Sequence, residues 1–352
     1  MIGVDLFSGA GGMSLGAAWA GVSVRLAVEA DPHAAATYRH NHPKTGLFAD
    51  DICGLKVIDV PREGHHTVLF GGPPCQGFST SNQRTRSRDN PNNWLFREFT
   101  RLAAHWGPDW VVFENVQGIA GTAAGTFLAE VLKSLEAIGY TTSTWTLNAV
   151  DFGVPQVRSR LFVIGSASGL KVEKPPPLAS RLVTVHQAIS DLPTLGNGAP
   201  TNWMPYKCPA RTAYAKSMRN GQGQSSGHLV TRNARYVLAR YKHVPRGGNW
   251  EDIPARLMKN YADRYRCHTG IYQRLRGDRP SVVIGNYRKN MLIHPYQDRG
   301  LSVREAARLQ SFPDWYEFEG SIGFQQQQVG NAVPPLLAKK VFQCILDAQD
   351  GR

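Results

Sequence analysis

Hydrophobic and polar positions follow two rhythms along this 352-residue chain. Short apolar runs at Ile2–Phe7, Val24–Val28, Thr67–Phe70, Trp110–Phe113 and Arg160–Ile164 have the length and residue types of buried strands. The segments between them keep a helical period. In Trp94–Trp106, residues Leu95, Phe96, Phe99, Leu102 and Trp106 recur every three or four positions and share one face. In Thr126–Ile138, Leu128, Val131, Leu132, Leu135 and Ile138 do the same, and Gly139 is placed to end the helix. Strands alternating with helices predict an α/β fold with a mostly parallel sheet and helices on both its faces.

The rhythm breaks after Gly165. Lys174-Pro175-Pro176-Pro177 reads as a stiff linker. From about Thr184 to Gly300 periodicity is weak, which predicts a second, irregular domain. Regular signals return with a short helix over Ser302–Gln310 and a last one over Leu336–Ala348, opened by Pro334-Pro335. Gln325–Gln328 reads only as a brief polar run. The expected division is 1–183, 184–299, and 300–352 returning to the first domain.

Composition changes this picture in one respect. With 42% hydrophobic and 19% charged residues the chain is ordinary for a soluble protein. No apolar run reaches the roughly 18 residues of a membrane span. The N-terminus starts directly at a strand, without a secretory leader, so no large domain is expected ahead of it. The five cysteines, Cys53, Cys75, Cys208, Cys267 and Cys344, form no C-x-x-C pair, so no disulfide framework and no metal site are expected. A reducing cytoplasm fits. The net charge is +13, and residues 201–300 alone carry 19 Lys+Arg against 5 Asp+Glu. The whole basic excess therefore lies in the irregular segment. Such a segment suits a long polyanion, or forms a solvated basic face.

Candidate chemistry clusters at predicted strand ends. Asp5-Leu6-Phe7-Ser8-Gly9-Ala10-Gly11-Gly12 joins a strand to a helix, where glycines allow a tight turn and close approach of a ligand. Glu29, about 20 residues beyond Gly9, stands where a carboxylate can accept from ribose hydroxyls. Ser14 replaces the third glycine of a dinucleotide fingerprint, which favours a nucleoside cofactor without a pyrophosphate. A purely structural turn remains the alternative.

In Gly71-Gly72-Pro73-Pro74-Cys75-Gln76-Gly77-Phe78-Ser79, glycines and prolines stiffen the approach to one cysteine at a strand end, a position for a thiolate nucleophile. Arg84, Arg86 and Arg88 follow in a polar stretch that either closes over nucleic acid or is plain surface. Glu114-Asn115 ends one strand. Gln156-Val157-Arg158-Ser159-Arg160 opens another, with the two arginines on one side.

Taken in order, these segments resemble the DNA cytosine-5 methyltransferase family, bacterial and phage type. The resemblance adds Arg304-Glu305-Ala306-Ala307-Arg308-Leu309-Gln310-Ser311-Phe312-Pro313 and Gly330-Asn331-Ala332-Val333-Pro334-Pro335. It covers nearly the whole chain except about residues 184–290, where such enzymes carry a variable target-recognition domain. It implies a Rossmann-like, S-adenosylmethionine-dependent methyltransferase fold with a smaller target-recognition domain.

By the same resemblance, Phe7, Gly9, Gly11, Glu29, Asp51, Ile52, Pro74, Asn331 and Val333 would hold S-adenosylmethionine, with Glu29 at the ribose and Asp51 at the adenine amino group. Cys75 would attack C6 of a cytosine flipped out of double-stranded DNA. Glu114 would contact N3 and the exocyclic amine, Arg160 the base's O2, and Arg158 would support the loop. Ser79, Ser81, Gln83, Arg84 and Arg86, with Arg232, Arg235, Arg246 and Arg274 of the basic segment, are the DNA-binding candidates. Ala30 departs from the larger apolar residue that many relatives place against the adenine.

The chain is expected to act as a monomer, with restriction or phage-defence partners possible in a prokaryotic host, and to be nucleoid-associated. A transfer-RNA methyltransferase, an inactive DNA-binding regulator and, more distantly, a nicotinamide oxidoreductase are the competing readings.

Overall fold

The structure, a computed structural model, describes residues 1–74, 94–120, 126–179, 181–259, 270–285, 287 and 291–351. They form two compact units, Met1–Phe152 with Ser159–Leu178 and Pro335–Arg352, and Gly153–Arg158 with Ala179–Pro334. Residues 300–334 thus group with the second unit, and Pro335 onward with the first.

The first unit is built on seven strands: β1 (Ile2–Leu6), β2 (Ser23–Val28), β3 (Gly46–Phe48), β4 (Thr67–Gly71), β5 (Trp110–Val116), β6 (Thr141–Asn148) and β7 (Ser159–Ser166). Their order is β3-β2-β1-β4-β5-β7-β6. Strands β1 to β5 pair in parallel, and β7 runs antiparallel to β5 and β6. The α/β, mostly parallel expectation holds. Every residue of β1 and β4 is buried, as continuous apolar strands of a covered parallel sheet require.

Strand β6 was not legible as a strand. In Thr-Thr-Ser-Thr-Trp-Thr-Leu-Asn only Trp145 and Leu147 are buried, because this edge strand pairs on one side only. Strand β3 has three residues, too few to show a period.

Helices α1 (Gly12–Ala20), α2 (Pro32–Asn41), α3 (Phe96–Trp106) and α4 (Thr126–Ala137) follow their strands. Phe99 and Leu102 of α3 and Val131 and Leu135 of α4 join Leu69, Val111 and Phe113 in one core. Phe70, one residue on and so on the other face of the sheet, meets Phe342 of the C-terminal helix Pro335–Gln349 at 4.8 Å. Both faces are therefore covered. The C-terminal helix lies so close to α1 that a Cβ on Gly16 would come within 2.5 Å of Ala338 Cβ. Gly139, at φ +94°, ends α4 as expected.

The second unit contains short helices α5 (Val185–Ile189), α6 (Ala213–Arg219), α7 (Arg235–Tyr241), α8 (Val303–Leu309) and α9 (Ile322–Asn331). Charge organises it as much as apolar packing. Arg308, fully buried, holds Asp191 and Asp314 at 2.9 and 2.6 Å. Arg299 grips both oxygens of buried Glu305, at 2.8 and 2.7 Å. Burial alone would raise the Glu305 pKa, but Arg299 and His294 hold it down to about 2. These pairs explain why 300–334 joins this unit. The expected polar run Gln325–Gln328 lies inside α9, where Gln325, Gln326 and Gln328 are buried. Their amides donate to Gly320 O, Thr231 Oγ1 and Glu319 O.

Candidate active site

In the first unit the strand order reverses between β1 and β4. Ligands of open α/β sheets bind at the carboxyl ends of strands at such a point. Beyond β1 the chain turns through Phe7, Gly9 and Gly11, all at positive φ (61°, 54° and 85°). The Glu29 carboxylate, just past β2, is clamped by two backbone N–H groups: Gly9 N donates to Oε2 and Asp31 N to Oε1, both at 2.7 Å. Burial raises the Glu29 pKa, and these N–H groups oppose the rise. A carboxylate so fixed keeps lone pairs for further donors such as vicinal hydroxyls.

Two further features suit a bound nucleoside. Nothing stands within 4 Å of where a Cβ on Gly9 would project. Ser8 Oγ is buried with no hydrogen-bond partner among the described residues. Asp51 is exposed and accepts from Cys53 N at 2.9 Å, which lowers its pKa and keeps it an acceptor. Ile52 beside it is buried. Ala30 is exposed.

Below the turn lies a network not anticipated from the sequence. Ser14 Oγ donates to buried Asp5 at 2.6 Å and meets Tyr38 Oη at 2.7 Å. The one available signal was Ser14 itself, standing where a fingerprint glycine was missing. Burial pushes the Asp5 pKa up to about 8, opposed by Ser14 and reinforced by the Glu29 charge. The folded protein therefore holds this proton more tightly than the unfolded chain. Stability contributed by Asp5 is present at low pH and is lost as pH rises through about 4 to 8. Asp5→Asn is expected to remove this loss. The melting temperature of the variant should gain on wild type between pH 5 and pH 8.5, and a constant difference would contradict the assignment.

The end of β4 shows what its glycines do. A Cβ on Gly71 would lie 1.9 Å from Leu6 O, and one on Gly72 would lie 2.6 Å from Glu114 Oε2. Beyond stiffening the segment, the pair permits close approach to β1 and to Glu114. Asn115 Nδ2 donates to Pro73 O at 3.1 Å, which ties the segment to β5. Pro74 is partly buried. Cys75, Ser79, Ser81, Gln83, Arg84, Arg86 and Arg88 lie outside the described residues.

Glu114 and Arg160 come together. Arg160 Nε lies 3.0 Å from Glu114 Oε1, with both side chains about nine-tenths buried. Antiparallel pairing of β5 with β7 sets Glu114 opposite Phe162 and Val116 opposite Arg160. The pair thus spans a diagonal of the ladder, within reach of long side chains. Arg160 Nη1 also donates to Ser159 O at 2.8 Å.

The remaining predicted residues belong to the second unit. Buried Arg158 donates to Ile284 O, Gly330 O and Ala332 O at 3.1, 2.9 and 3.1 Å. That is a supporting role for main chain. Asn331 ends α9 and is exposed, and Val333 is buried. Arg232, Arg235 and Arg246 are exposed.

Arg274 departs from its expected place on a DNA-binding surface. It is buried, and its five N–H groups all have internal acceptors: Val244 O, His294 O, Gln297 O, Tyr241 O and Asp298 Oδ1. Its charge organises the fold, and no donor is left for a nucleic acid. Arg240 and Arg299 are likewise buried, so part of the basic excess is internal. Among the described residues no helix is long and apolar enough to cross a membrane.

The family profile for C-5 cytosine-specific DNA methylase matches residues 1–347. Type II methyltransferase M1.HphI of Haemophilus parahaemolyticus is 38% identical over 348 residues, covering 97% of this chain and 86% of that protein. Type II methyltransferase M.DdeI of Desulfomicrobium norvegicum is 32% identical over 370 residues, covering 97% and 88%. The crystal structure of a candidate DNA modification methyltransferase encoded within an E. coli prophage superposes with a TM-score of 0.80 at 27% identity, covering 99% of each chain. The S. pombe Dnmt2 methyltransferase shares the fold, with a TM-score of 0.63 at 17% identity, covering 100% of this chain and 99% of that one.

Proposed function

The chain belongs to the C-5 cytosine-specific DNA methylase family, and from that premise we propose that Cys75, Glu114 and Arg160 carry the reaction on a cytosine flipped out of duplex DNA. It is a DNA (cytosine-5) methyltransferase. The observation that supports these roles is the buried Glu114–Arg160 pair beside Gly72, three residues before Cys75.

Cytosine C5 is a weak nucleophile. The Cys75 thiolate adds to C6, forming a carbon–sulfur bond, shifting the C5–C6 π electrons to C4–C5 and the C4–N3 π electrons onto N3. Glu114, aimed at N3 and the exocyclic amine, supports that charge by hydrogen bonding and proton donation. Arg160 fixes the Glu114 carboxylate and presents a cation toward O2. When bound, S-adenosylmethionine supplies the activated methyl group that the enamine-like C5 takes up. Loss of the C5 proton then expels Cys75 and restores the aromatic ring.

Glu29, Gly9, Gly11, Phe7, Asp51, Ile52 and Pro74 would hold the nucleoside and amino-acid parts of that molecule, and Asn331 and Val333 are further cofactor-binding candidates. The clamped Glu29 carboxylate and the Ser8 hydroxyl, which has no partner among the described residues, fit such a ligand. Glu29→Ala is expected to raise the dissociation constant for S-adenosylhomocysteine roughly 10-fold or more, the worth of charge-assisted hydrogen bonds. Calorimetry checks it, and an unchanged constant contradicts the ribose role.

The second unit would act as the target-recognition domain, with exposed Arg232, Arg235 and Arg246 toward DNA. Arg158 would support the main chain that carries Gly330 and Ala332. Relatives named Type II methyltransferases favour a modification enzyme, of a restriction or defence system, over a transfer-RNA enzyme. A cytoplasmic, nucleoid-associated monomer is the setting that suits it. Radiolabel transfer to duplex DNA against transfer RNA separates the two substrates. A covalent adduct trapped on 5-fluorocytosine DNA excludes an inactive regulator.

A further inference from the structure

Arg246 differs from its arginine neighbours. Arg274 has every N–H group engaged internally. Arg276 is paired with Asp278, through Nε at 3.0 Å and Nη2 at 2.7 Å. Arg246 is exposed and has no carboxylate partner among the described residues. It sits on the turn Pro245–Gly248, closed by Gly248 N donating to Pro245 O at 2.9 Å, with Gly247 at φ +83°.

Its guanidinium lies over the ring of Tyr296, 4.8 Å from the centroid. Tyr296 is 45% exposed yet held by two hydrogen bonds. Tyr296 Oη pairs with His186 Nδ1 at 3.1 Å, and Tyr296 N donates to His294 Nδ1 at 3.1 Å. Gly277 passes so close beneath the phenol that a Cβ there would lie 1.8 Å from Oη. Stacking on an aromatic face orients a guanidinium without using its hydrogen-bond donors.

We propose that Arg246, held over Tyr296, reads one guanine of the DNA recognition sequence. This rests on the chain being a DNA methyltransferase. A phosphate contact needs only charge on a flexible stem, which exposed Arg232, Arg235 or Lys242 supply. A guanine needs the planar fork set against O6 and N7. An arginine whose rotamer is already restricted loses less freedom in making that contact. The surroundings suit DNA, since residues 192–250 contain no Asp or Glu. The carboxylates of adjoining segments are engaged, Asp278 by Arg276 and Asp252 by Asn249 N at 2.9 Å. Tyr296 is a positioning residue in this assignment.

The test is methylation of a randomised duplex library, read by sequencing the methylated cytosines. Arg246→Gln is expected to lose preference at one guanine position by roughly 5- to 150-fold while the other positions stay as in wild type. Gly277→Ala leaves Arg246 unchanged but crowds Tyr296 out of place, and should loosen the same position to a smaller degree. A uniform fall across all sequences, with a shallower salt dependence, would mark a phosphate contact and overturn the assignment. So would an unchanged profile in a folded Arg246→Gln protein. If the unaltered protein methylates no cytosine in the library, the methyltransferase reading itself falls, a result distinct from any variant's.

Discussion

Methyl transfer by the Cys75→Ala variant is expected to fall by about 10^4-fold or more, because removing the nucleophile of a covalent mechanism leaves only binding and electrostatic assistance. Cys75→Ser should fare little better, since a hydroxyl stays protonated at pH values where a thiol begins to ionise. Duplex binding should persist in both, because affinity for DNA comes mainly from phosphate contacts distant from the reacting atom. Tritiated-methyl incorporation measures the first quantity and a mobility shift the second. An alanine variant within 10-fold of the wild-type rate would remove Cys75 from the mechanism. The segment leading to it is prepared for such a role. Gly71 and Gly72 pass where no side chain fits, and Asn115 holds Pro73 O at 3.1 Å.

Glu114→Gln is expected to lower the single-turnover methylation rate by roughly 10^2- to 10^4-fold, the usual worth of a positioned acid–base group. Glutamine keeps the shape of glutamate and can still accept from Arg160, so the packing around Gly72 should survive. What it loses is the ability to hold a proton for N3 and to carry the charge that faces Arg160 across 3.0 Å. The dissociation constant for S-adenosylhomocysteine should therefore stay near wild type while the chemical step slows. If both change together, Glu114 serves the fold of the site and the acid–base role is lost. If neither changes, the proton comes from elsewhere. Together with Cys75→Ala, the experiment separates loss of the attacking atom from loss of support for the attacked ring.

Legibility followed physical locality. Buried strands and amphipathic helices announced themselves because period and burial coincide within a few residues, as in β1, β4, α3 and α4. Strand β6 did not, because its threonines face solvent along a one-sided edge. Helix α9 did not, because three glutamines that read as surface are buried on specific partners. Glu29 was readable from its spacing to Gly9, and the 2.7 Å bond between them shows why the spacing matters. Along the chain Ser14 shows only as a broken fingerprint, since Asp5 and Tyr38 reach it from a different strand and helix.

By itself the sequence determined the α/β class, the order of the chemical segments and the family they match, because each rests on residue type and spacing along the chain. Tertiary structure alone decided how those residues are used. It paired Glu114 with Arg160 across an antiparallel step that no local period encodes. It turned Gly71 and Gly72 from stiffeners into clearances. It also sorted the arginines, sending the five donors of Arg274 inward while leaving Arg246 exposed over Tyr296. Charge is a property of composition. Whether a guanidinium meets a carbonyl inside the protein or a partner outside it depends on which distant segments fold against it.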